Sequence, residues 1–126
     1  MTANDIFKTA CSYLSQTVED SEDLAGLAPV WLSALLAESL PWENALRQYQ
    51  GLPALAAAPV VESLDQTLDW RPALVRVALP YGLAAQMYME EDDDYSARAQ
   101  DMRGRYVNAL AEALRLRPGE VRDVYA

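Results

Sequence analysis

The stretch LPYGLAAQMYMEEDDDYSARAQ, Leu79 to Gln100, decides how the chain is read. An apolar segment runs into five consecutive acids, Glu90 to Asp94, and a tyrosine and a more basic segment follow. A Ca²⁺ loop of the EF-hand kind spaces its ligands at alternate positions, has a central glycine and closes with a distant glutamate. Here Asp92, Asp93 and Asp94 are contiguous and no glycine opens the loop. Carboxylate-pair hydrolysis needs two acids with pKa values pushed apart across a cleft, and neighbours on an exposed turn do not supply that asymmetry. A turn between two helices accounts for more of the residues. Glu90 and Glu91 end one helix in solvent, and Asp92 to Asp94 cap the next and complement its positive N-terminal dipole. The stretch therefore predicts a helical hairpin.

The segment after the turn is the most regular in the chain. Tyr95, Ala99, Met102, Tyr106, Ala109, Ala113 and Leu116 recur at steps of four and three, which makes one buried seam. Arg98, Arg103, Arg105 and Arg115 fall on the outer face. Pro118-Gly119 stops this helix, and a tail containing Val121, Val124 and Tyr125 follows. Before the turn, a third helix is expected from Arg71-Pro72, with Leu74, Val75, Ala78, Leu79, Leu83, Met87 and Tyr88 facing the core. Pro80 and Gly82 predict a bend in it.

Further towards the N-terminus, residues 51–70 have two prolines, many small residues and no sustained stripe. They read as a long ordered loop packing through Leu55, Val60, Val61, Leu64 and Leu68, with no partner in view for a strand at Val60-Val61. A second helix follows VEDSED, with Leu24, Leu27, Ala28, Trp31, Leu32, Leu35, Leu36 and Leu40 at helical spacing. Pro29 falls near its first turn or at a kink, and Pro41 is expected to end it, with PWENALRQYQ adding a further turn or continuing after a bend. Asn4 or Asp5 caps a first helix whose stripe is Ile6, Phe7, Ala10, Cys11, Leu14 and Val18. The fold class expected is all-α, a small bundle of about four helices over residues 1–117 with a tail at 118–126.

Composition narrows the chemistry. The chain has 126 residues, one cysteine and no histidine. Zinc sites built on imidazole and Ser-His-Asp or Cys-His catalysis are thereby excluded, so no enzyme activity, metal or cofactor is expected. A single cysteine excludes an internal disulfide and suits a reducing compartment, and MTANDIFKTA has no apolar signal core. A soluble, cytoplasmic product without membrane association is expected. The net charge of −9 disfavours reading a DNA sequence. The charge is uneven, however: residues 95–126 hold six arginines against four acids, while residues 51–94 hold eight acids against two bases.

Taken together, LPYGLAAQMYMEEDDDYSARAQDMRGRYVNALAEA resembles the C-terminal half of bacteriophage and prophage head–tail adaptor (connector) proteins. ANDIFKTACSYL, the acidic break, VWLSALLAESLPWENALR and SLDQTLDW fit the same layout, which covers nearly the whole chain. The resemblance implies a non-enzymatic virion component of the neck, present in the host bacterial cytoplasm before assembly. Such proteins form a ring under the portal, join it to tail or stopper proteins, and let DNA pass without reading it; alone they are often monomers. It also implies a portal-binding tail, here Leu116, Pro118, Val121, Val124 and Tyr125. The charge asymmetry adds candidate subunit–subunit contacts, with Arg98, Arg103 and Arg105 of one copy meeting Glu90, Asp92 and Asp93 of the next. The alternative from another class is an acidic helical interaction module, such as a DNA mimic that inhibits a nucleic-acid-binding enzyme. A mimic needs its acids spread over one extended face, whereas the last quarter of this chain is basic.

Overall fold

The computed structural model describes residues 1–15, 19–91 and 96–115. Four α-helices make up the described fold: α1 (Ala3–Tyr13), α2 (Glu22–Tyr49), α3 (Leu79–Glu91) and α4 (Ser96–Arg115). A 3-10 turn at Glu19–Ser21 leads into α2, and a π-helical turn at Leu74–Ala78 leads into α3. The all-α bundle read from the sequence is the observed fold, and α3 and α4 make its most extensive helix pairing.

The first helix starts two residues earlier than a cap at Asn4 would place it, and three earlier than one at Asp5. Thr2 is the N-cap. Asp5, three residues on, accepts from the Thr2 backbone N–H at 2.9 Å and from its hydroxyl at 3.2 Å. Two more of the unpaired N–H groups at this helix start are met from the connector between α2 and α3. Ala3 N–H donates to Gln66 O at 2.9 Å and Asn4 N–H to Leu64 O at 2.8 Å. The one pairing of strand type among the described residues is an antiparallel bridge between Thr2 and Thr67, so Val60-Val61 forms no strand. Ile6, Phe7, Ala10 and Cys11 are buried as expected. Val18 lies outside the described residues.

Pro41 does not end the second helix. α2 runs unbroken through both Pro29 and Pro41 to Tyr49. A proline inside a helix costs about 3 kcal/mol, because it lacks the N–H and crowds the carbonyl four residues back. Burying one leucine side chain returns about 1.5–3 kcal/mol, and Leu32, Leu35, Leu36 and Leu46 are all buried on either side of Pro41. Pro41 and Ala37, whose carbonyl loses its partner, are both exposed, so water can reach that oxygen. Packing on both flanks thus outweighs the local break. Leu27 sits outside the buried stripe, 39% exposed.

All seven positions expected to face the core before the turn are buried, from Leu74 to Tyr88. The irregularity expected at Pro80 comes one turn earlier. Leu79 N–H reaches back five residues to Leu74 O, the wider turn of a π-helix. Such a turn accommodates the missing N–H of Pro80 without ending the helix. Gly82 has a packing cause. A Cβ there would lie 2.9 Å from Leu35 Cδ2 and 3.1 Å from Tyr106 Cδ1, so only glycine lets α3 approach both neighbours this closely. On α4, Ala99, Tyr106 and Ala113 are buried and Met102 and Ala109 half-buried, as the seam predicts; Leu110 is a further buried residue beside it. Tyr95 and Leu116 lie outside the described residues.

Candidate functional site

Three features of the described residues stand apart from ordinary core packing: a buried ionic cluster, an apolar groove and the exposed arginines of α4.

The cluster is built on α2. Ser39, Glu43 and Arg47 recur every four residues, share one face and are buried, Glu43 completely. Arg47 Nε donates to Glu43 Oε2, and Arg47 Nη2 reaches Asp69 O at 3.0 Å and Asp69 Oδ2 at 3.1 Å. The other Glu43 oxygen accepts from the Arg71 backbone N–H at 2.7 Å. Arg71 Nε stands 3.4 Å from Glu43 Oε2, an ion pair without hydrogen-bond geometry, while Arg71 Nη2 donates to Asp69 Oδ1 at 2.7 Å. Trp70 Nε1 donates to Ser39 Oγ at 3.2 Å. On the same helix, Asn44 holds both backbone groups of Leu55 (2.8 and 3.0 Å), and nearer the N-terminus Ser33 Oγ accepts from Val61 N–H at 2.8 Å. These contacts answer why an irregular connector is ordered: polar side chains of α2 satisfy its backbone at successive points. The charges are paired with one another, so the cluster fastens the connector to α2. Val60, expected among the packing residues, is instead 67% exposed; Val61, Leu68 and Trp70 carry the burial. The fourfold spacing of Ser39, Glu43 and Arg47 within an apolar helix was the sequence signal for this cluster.

The groove lies where the end of α2, the start of the third helical segment and the end of α4 meet. It encloses about 550 Å³, within the roughly 300–1,000 Å³ of ligand pockets. Leu46, Ala73, Val77, Ala109 and Ala113 give it an apolar lining, and Gln50, Arg71, Asn108 and Glu112 are its polar members. Val77 is 48% exposed, so the lining is open to solvent.

On α4, Arg98, Arg103 and Arg105 are all exposed, as is Glu90 at the end of α3. Arg103 and Arg105 already have acidic partners in their own chain. Arg103 Nη2 donates to Glu38 Oε2 on α2 at 2.8 Å, and its guanidinium lies 4.9 Å from the Tyr106 ring centroid. Arg105 Nε donates to Asp101 Oδ2 at 3.2 Å and approaches the Tyr81 ring at 6.0 Å. Tyr81 in turn stacks on Tyr13, with centroids 4.8 Å apart. The hydrogen bond from Arg103 holds the Glu38 carboxyl below the usual carboxylate range. Burial, with Glu38 adding to it, raises the Tyr106 hydroxyl well above its ordinary value. Burial likewise pushes the Cys11 thiol up, the mark of a core cysteine and not of a reactive one. Of the other residues singled out from sequence, Asp92, Asp93, Leu116, Pro118, Val121, Val124 and Tyr125 lie outside the described residues.

Among the described residues no three Cys, Asp or Glu side chains gather to hold a metal ion. By length and composition α2 is apolar enough to cross a bilayer, with mean hydropathy 1.4 over its best window; Leu24, Leu32, Leu35, Leu36 and Leu46 lie in the bundle core here. Comparison with protein-family models, with curated proteins and with solved structures gives no match.

Proposed function

We propose that this chain is a phage or prophage structural protein, a head–tail adaptor. It forms a ring between the portal and tail or stopper proteins and lets DNA pass. The observation that carries the reading is the α3–α4 hairpin. The segments LPYGLAA and YVNALAEA, which bear the resemblance, face each other, with Gly82 of the first against Tyr106 of the second. The resemblance thus rests on residues that build the hairpin.

The described surface supports assembly over chemistry. The arginines of α4 are exposed beside a chain that is otherwise acidic, which suits head-to-tail contact between copies. Arg103 and Arg105 would share their present acidic partners with those of a neighbour, and Glu90 is exposed to receive one. Exposed arginines along α4 interrupt the extended acidic surface that a DNA mimic needs, which favours this reading.

Electron microscopy of the protein mixed with its candidate portal tests the proposal. Rings on the portal are expected, weakening as salt rises because exposed ion pairs are screened. Deleting residues 118–126 is expected to abolish portal binding and leave the helical fold intact. A truncated chain that still binds the portal sinks the tail assignment, and absence of any complex with the intact chain sinks the adaptor reading.

A further inference from the structure

The groove beside the end of α4 is apolar, partly exposed and unfilled by any described residue. Its lining includes Ala109, Glu112 and Ala113, and α4 is described to Arg115, two residues beyond the last of these. The last described residue of α4 therefore lies close to the groove's own margin. Five residues, 116 to 120, span about 17 Å when extended, ample to return along the last turns of the helix. Pro118-Gly119 supplies the chemistry for such a reversal, proline presetting its φ and glycine accepting a positive φ at the next position. Beyond the turn come Val121, Val124 and Tyr125, spaced so that one face of a short segment is apolar.

We propose that residues 118–126 of the same chain seat in this groove, with Val121, Val124 and Tyr125 against Leu46, Val77 and Ala113. A tether this short sets an effective concentration on the order of millimolar. Even a weak intrinsic affinity then keeps the groove occupied in cis. Apolar side chains carry the contact, so it is insensitive to salt, unlike the subunit contacts proposed above. The inference stands apart from the portal reading: it needs only the groove and the tail, and its test contains no portal. If both hold, the portal takes the segment in competition with the groove.

The test uses a synthetic peptide of residues 118–126, the intact chain and the chain ending at Arg117. The truncated chain is expected to bind the peptide saturably, and the intact chain about tenfold more weakly or less. Truncation is also expected to shift the amide resonances of Ala73, Val77, Ala109 and Ala113. Val77→Asp is a substitution at a half-exposed position and is expected to preserve folding, checked by circular dichroism. In the truncated chain it is expected to weaken the peptide by about tenfold or more, while Val30→Asp on the exposed face of α2 leaves binding unchanged. Equal binding to intact and truncated chains overturns the proposal, as does no binding to the truncated chain or indifference to Val77→Asp. Masking of the groove that appears only as intact-chain concentration rises overturns it in favour of a tail supplied by a second copy.

Discussion

Helix α2 is held to the connector by buried polar groups and to α3 and α4 mainly by shape, with one exposed ion pair, Glu38–Arg103, beside it. Towards the connector it presents Ser33, Ser39, Glu43, Asn44 and Arg47, each bonded to a particular backbone or side-chain group. Towards α3 and α4 it presents Leu35, packed where Gly82 and Tyr106 come within van der Waals reach. The difference follows from what each partner lacks. A connector without regular structure has backbone groups to satisfy, whereas two helices have none and need only complementary surfaces.

The sharpest way to break the comparison is at Glu43. Glu43→Ala leaves Arg47 buried with one partner fewer, and a loss of about 3–5 kcal/mol is expected in urea unfolding. Replacing Glu43 and Arg47 together by Met and Leu is expected to recover part of that loss, because no buried charge is then stranded on α2 and Arg71 keeps Asp69, although the Arg71 backbone N–H loses its acceptor. If the double replacement is as damaging as the single one, the cluster is more than a fastening. On the shape side, Gly82→Val drives methyl groups into Leu35 and Tyr106 and is expected to cost about 1–3 kcal/mol. Gly104 offers the contrary case in the partner helix: a Cβ there meets nothing within 4 Å. Gly104→Ala is therefore expected to stabilise by about 0.5–1 kcal/mol, through helix propensity alone. Thermal melts of the two glycine variants should move in opposite directions.

The smallest effect concerns the surface pair that ties α2 to α4. Glu38 has a folded pKa below its ordinary 4.5. Its pairing with Arg103 is thus fully stabilising above about pH 4.5 and is lost as pH falls through the lower folded value. Both side chains are more than a third exposed, so screening limits the effect to about 0.2–1 kcal/mol. Wild type should exceed Glu38→Gln in the unfolding free energy from urea titration at pH 7 by that margin, with the gap closing by pH 3. A gap that persists at low pH would assign the effect to the Gln side chain itself.

The helices that were legible are those whose partners lie nearby in sequence or whose stripe is regular. The seam from Ala99 to Ala113 and the seven core positions from Leu74 to Tyr88 fell where spacing put them. Pro41 misled, because a local rule about a missing N–H was applied where leucines on both flanks outweigh it. Val60 misled because an apolar residue in a connector carries no periodicity to say which way it points. Glu43 and Arg47 could be seen as charges on an apolar helix, but not as partners of Asp69 and Arg71, some twenty to thirty residues on.

By itself the sequence determined an all-α chain, a hairpin around the acidic run and the absence of histidine chemistry. These rest on periodicity, capping and composition, which are local quantities. Tertiary structure alone decided that α2 continues through two prolines, that the connector is pinned by buried charges and caps α1, and that a groove opens beside the end of α4. Each of these depends on residues far apart in the chain meeting in space, and on packing free energies large enough to overrule local preference.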